Sequence, residues 1–98
     1  MMLIARFDGD VNESRQAYDR AHALVMERDG ATGVGELRHH CAIGDEALYI
    51  ISVWESVERV RTRWASDEFE DVLTSVGFAS PKTAEITITK LHVTEPPL

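Results

Sequence analysis

The sequence predicts one α+β domain with the element order β-α-β-β-α-β, a four-stranded antiparallel sheet carrying two helices on one face. Three observations predict it. Apolar residues recur at spacings of three and four in two separate stretches, one after Asp10 and one after Ser56. Short β-prone runs stand before, between and after them. A central run, Ala47-Leu48-Tyr49-Ile50-Ile51-Ser52-Val53-Trp54, is almost continuously apolar. With right-handed crossovers this order folds as a ferredoxin-like layout. A chain of 98 residues, 44% hydrophobic and 28% charged, has room for one core.

The first strand covers the apolar run 2–7 and closes at the turn signal Asp8-Gly9-Asp10. Asp10 with Glu13 forms a capping-box pattern that opens the first helix. Val11, Ser14, Ala17, Tyr18, Ala21, Leu24 and Val25 make its inward stripe, with Glu13, Arg15, Gln16, Asp19, Arg20 and Glu27 off it. The helix ends before Gly30, and Gly33 and Gly35 mark the connection. Residues 36–43 and 46–54 form a hairpin around Gly44-Asp45. Ser56 caps a second helix carrying Val57, Val60 and Trp64, and Ser66 with Asp67 and Glu68 is a second start signal. A break is therefore expected near Ala65-Ser66. Gly77 and Phe78 fit a left-handed C-cap with a hydrophobic residue behind it, and Pro81 prevents continuation. The last segment, Ala84 to Thr94, is β-prone, and its apolar parity changes between Ile86/Ile88 and Leu91/Val93. That change predicts a bulge, or a strand whose halves pack on different bodies.

The central run carries a further implication. A strand with one wet face alternates; this one is apolar on both. Two helices cover only one face of the sheet, so a second copy of the chain is the economical cover for the other. A homodimer is the expected assembly.

Ten Lys and Arg against seventeen Asp and Glu give a net charge of −7, which argues against nucleic acid as a partner. No run approaches the roughly 20 apolar residues of a membrane helix. The first residues lack the pattern of a secretory signal, so the cytoplasm is the expected compartment. Cys41 is the one cysteine, which excludes an internal disulfide.

The runs Val53-Trp54-Glu55-Ser56-Val57-Glu58 and Trp64-Ala65-Ser66-Asp67-Glu68-Phe69 resemble the strand end and helix of the dimeric α+β barrel superfamily. Within it they are most similar to the antibiotic-biosynthesis-monooxygenase type. The resemblance implies two sheets packed face to face, and a cofactor-independent monooxygenase acting on a small aromatic or polyketide-like compound. The haem-degrading relatives carry a His in the second helical stretch and an Asn on the first strand. Here residues 72–76 are Val-Leu-Thr-Ser-Val, and the one Asn, Asn12, follows the strand. Both departures argue against haem, and no cofactor is expected.

Tyr18 and His22, one helical turn apart, and Trp64 are expected to line a cleft between helices and sheet, with Trp54 and Arg6 as further cleft residues. A neutral His22 is the natural base for removing a phenolic substrate's proton, and Tyr or Trp orients the ring. The bland alternative makes Tyr18 and Trp64 core aromatics and His22 a boundary residue. Arg6 in a half-buried strand needs a carboxylate or an anionic ligand, and an ion pair is the simpler of the two. His39 and His40 point to opposite faces of their strand, whereas His39 and Cys41 share one. A metal site would need a third ligand, such as His92; otherwise these are solvated or interface side chains. The competing function is a non-catalytic small-ligand-binding or stress-associated homodimer. Its version with a cleft filled by side chains predicts no cavity near roughly 300 Å³.

Overall fold

The computed structural model describes residues 1–30 and 34–98. Its elements are β1 (Met2–Asp8), α1 (Val11–Asp29), β2 (Glu36–Ile43), β3 (Ala47–Trp54), α2 (Val57–Trp64), α3 (Asp67–Ser75), a 3₁₀ turn (Pro81–Thr83) and β4 (Glu85–Thr89). The strands form one antiparallel sheet in the order β2-β3-β1-β4. This is the expected ferredoxin-like arrangement. Gly33, assigned from sequence to the α1–β2 connection, lies outside the described residues.

Local chemistry explains where the helices begin. The Asp10 carboxylate accepts from the backbone N–H groups of Asn12 and Glu13, both at 3.0 Å. Ser56 caps α2 through the Arg59 N–H and Ser66 caps α3 through the Phe69 N–H, each at 3.2 Å. The break between α2 and α3 falls at Ala65-Ser66, where the sequence places it. Gly77, at φ +85°, turns the chain left-handed after α3, and the Phe78 N–H returns to the Leu73 carbonyl at 3.0 Å. That closure drives the Phe78 ring into the core.

Alternation sorts the sheet into two faces. Leu3, Ala5 and Phe7 of β1 and Leu48, Ile50, Ser52 and Trp54 of β3 are buried beneath the helices. Ala17 and Ala21 are the buried residues of α1, and their small size lets the helix approach the sheet closely. Val60, Trp64, Phe69 and Leu73 complete the core from α2 and α3. On the other face no helix packs among the described residues. Met2 and Ile4 of β1 and Tyr49, Ile51 and Val53 of β3 form an apolar stripe there, half-buried within the single chain. The strand is apolar on both faces, with Ser52 the polar exception; the burial expected of both is reached on the helix-covered face, and the other face is half-buried within the single chain.

Two expectations need correction. The last strand ends at Thr89 rather than Thr94. Among the described residues β4 pairs with β1 alone, and their pairing runs out where β1 begins, at Met2 opposite Thr89. The parity change at Leu91 thus lies beyond the strand, so no bulge is needed. The bulge is instead in β2, where the register against β3 slips between Glu36 and Arg38.

Candidate functional site

Between α1, the α2–α3 pair and the helix-covered face of β2 and β3 lies a cavity of about 380 Å³. One flank of α1 lines it with Tyr18, His22, Val25 and Met26, at i, i+4, i+7 and i+8. Trp64, Phe69, Leu73 and Phe78 form the opposite wall, and Ile50 and Trp54 of β3 form the floor. The walls are largely apolar. The volume exceeds the roughly 300 Å³ at which ligand pockets begin, which removes the version of the binding reading in which side chains fill the cleft.

Four of the five residues assigned to the cleft from sequence line this cavity: Tyr18, His22, Trp54 and Trp64. Arg6 does not. It pairs in register with Tyr49, on the uncovered face of the sheet, and its Nε donates to Asp8 Oδ1 at 2.8 Å. The guanidinium also sits over the Tyr49 ring at 5.7 Å. Asp8 supplies the partner, so Arg6 is the ion-pair alternative realised rather than a cleft residue.

The two tryptophans differ in their polar ends. Trp54 Nε1 donates to the buried Ser52 hydroxyl at 2.7 Å, which fixes the indole. Trp64 Nε1 is buried with no partner among the described residues. A buried unpaired donor costs about 1–3 kcal/mol.

One corner of the cavity is polar. The Tyr18 hydroxyl meets His39 Nε2 at 2.5 Å, and His39 Nδ1 meets Glu36 Oε2 at 3.0 Å. A carboxylate only accepts, so Nδ1 carries a proton, and in the neutral imidazole Nε2 accepts from the Tyr18 O–H. The His39 ring lies parallel to Tyr18, at 7° and 6.0 Å between centroids. His22 stacks at 5.6 Å from each of these two rings. Burial raises the Tyr18 phenol above its ordinary value, and Cys41, Glu36 and Asp19 reinforce the shift. Tyr18 is therefore a neutral hydroxyl at physiological pH. Burial, with help from Asp19, also raises the nearby Cys41 thiol, to about 11.

Sequence reasoning singled out His39 only as a metal ligand or solvated side chain, and missed Glu36. On a regular strand residues 36 and 39 face opposite ways. The extra residue in β2 cancels one alternation: Glu36 pairs opposite Trp54 and His39 opposite Ser52, so both face the helices. As expected, His39 and Cys41 share that face, and His40 points away from it. His92 is exposed beyond the end of β4, and among the described residues no three His, Cys, Asp or Glu side chains gather as a metal site.

The fold aligns with that of a solved protein. The chain has the fold of SnoaB. SnoaB is a cofactor-independent oxygenase from Streptomyces nogalater; its structure aligns at a TM-score of 0.65 and 20% identity, covering 98% of this chain and 96% of that one. A substituted form of SnoaB aligns with the same TM-score and coverage at 23% identity. No protein-family profile matches the sequence, and no curated protein does. Among the described residues no helix is long and apolar enough to cross a membrane.

Proposed function

We propose that this protein is a cofactor-independent monooxygenase of small aromatic, polyketide-like compounds, acting as a cytoplasmic homodimer. The observation that carries the reading is an apolar cavity with one imidazole-bearing polar corner, set in the fold that SnoaB uses. His22 is the base. It lines the cavity, and its ring is held by stacking on Tyr18 and His39. No described group occupies its nitrogens, so a lone pair is free to take a proton.

On an anthrone-type substrate the chemistry balances without a cofactor. His22 removes a proton from the ring CH2 activated by the carbonyl, and the resulting carbanion delivers electrons to molecular oxygen. A C–O bond forms and the peroxide oxygen takes up the first proton. Loss of the second C–H proton then supplies the electron pair of the C=O bond as the O–O bond breaks, and the departing hydroxide leaves with that proton as water. The CH2 becomes a carbonyl, and the substrate supplies all the electrons. The half-buried stripe of Met2, Ile4, Tyr49, Ile51 and Val53 supports pairing of two copies through the uncovered face. One free thiol and no disulfide fit a reducing compartment.

Oxygen uptake with an anthrone-type substrate tests the reading. Wild-type protein should consume oxygen and form the quinone, and His22→Ala should lower the rate by about 10²–10⁴-fold. Full turnover by His22→Ala would remove the base role. Tight binding with no oxygen consumption would instead establish the non-catalytic ligand-binding function.

A further inference from the structure

The polar corner of the cavity holds more order than a single base requires. Glu36, His39 and Tyr18 form a hydrogen-bonded chain. The carboxylate holds a proton on His39 Nδ1, and in the neutral imidazole Nε2 is then the acceptor. Tyr18 then donates its O–H to that nitrogen. What a phenol has left, once its hydrogen is committed, is oxygen lone pairs. Tyr18 lines the cavity, so its oxygen is offered there as an acceptor.

We infer that Tyr18, held by His39 and Glu36, is a hydroxyl-selective binding site that recognises ligands through a donated phenol or enol O–H and discriminates against their O-methyl ethers. The inference rests on the reading of this cavity as an aromatic-ligand site. Tyr18 is the group that touches the ligand; His39 and Glu36 are positioning residues. Burial matters to the selectivity. An acceptor in an apolar wall gains from a partner that can donate, and an ether oxygen set against it brings two acceptors together. The surrounding rings hold the phenol in place: Phe78 meets Tyr18 edge-on at 6.2 Å, with His39 and His22 stacked on it. The bulge in β2 is what makes the arrangement possible, because it turns Glu36 onto the cavity side.

Calorimetric titration with naphthol and with methoxynaphthalene, in the absence of oxygen, tests the site without relying on turnover. Wild-type protein should bind naphthol about tenfold more tightly, the equivalent of one buried hydrogen bond. Tyr18→Phe keeps the ring and its stacking, so both ligands should bind it equally. His39→Phe keeps the stacked ring and removes the acceptor. The Tyr18 hydroxyl is then free to donate into the cavity, and methoxynaphthalene should gain relative to naphthol; a purely structural role would weaken both alike. Equal affinities in the wild type, or a preference that survives Tyr18→Phe, would overturn the inference. If neither compound binds, the aromatic-ligand reading falls with it. If the preference holds but anthrone-type substrates consume no oxygen, the oxygenase reading fails and the hydroxyl site stands.

Discussion

Ser52→Ala isolates the support beneath the cavity floor. Ser52 is fully buried on the central strand, paired opposite Leu3 of β1 and His39 of β2. Its hydroxyl accepts the Trp54 indole N–H at 2.7 Å, and Trp54 is itself only 3% exposed. Removing the hydroxyl leaves that N–H buried without a partner, at a cost of about 1–3 kcal/mol. Alanine returns part of this, because no hydroxyl then needs burying, so a net loss of about 1–2 kcal/mol is expected. For a domain of this size each kcal/mol moves Tm by roughly 4–8 °C, giving a fall of about 4–16 °C. Thermal unfolding at one fixed protein concentration measures it, since pairing of two copies would otherwise shift Tm. The same substitution in a Trp54→Phe background supplies the control. With no indole N–H to strand, Ser52→Ala should there cost little. An equal loss in both backgrounds would show that the hydrogen bond is not what the serine contributes.

Ile51→Lys places a charge in the middle of the apolar stripe without entering the core, so the fold should persist while pairing is lost. Sedimentation should give a monomer at concentrations where the wild type is dimeric; a dimeric variant, or a monomeric wild type, would refute the proposed interface. The raised Cys41 thiol should alkylate on the order of 10²-fold more slowly at neutral pH than a free cysteine with its pKa near 8.5. The rate should climb with pH until about 11. The sign for stability follows. The unfolded thiol ionises first, so this contribution is intact below about pH 8.5 and is lost as pH rises toward the folded value. Mass spectrometry of the alkylated chain across pH checks the rate, and a neutral-pH rate equal to that of a free thiol would contradict it.

Much of the architecture was legible because its signals are local. Asp10, Ser56 and Ser66 announce helix starts through side chains that cap their own backbone, and Gly77-Phe78 announces a stop in the same way. The alternation of β1 was equally readable: Ala5 and Phe7 face the helices, so Arg6 between them had to face the other way. Placing it in the cleft overlooked that parity. The end of β4 was hidden for a different reason. Its composition stays β-prone through Thr94, but a strand extends only as far as its neighbour, and that limit belongs to β1. The Glu36–His39–Tyr18 chain was hidden most completely. It depends on one extra residue in β2, visible only in the register against β3, and on a contact from α1 that spans 21 positions.

The cavity and the uncovered apolar stripe occupy opposite sides of one sheet. Self-association through that stripe would join two complete chambers back to back, with neither lending a wall to the other. Dilution would then separate the copies while leaving guest affinity unchanged, and occupancy of one chamber would send its twin no signal beyond what the shared strands can transmit.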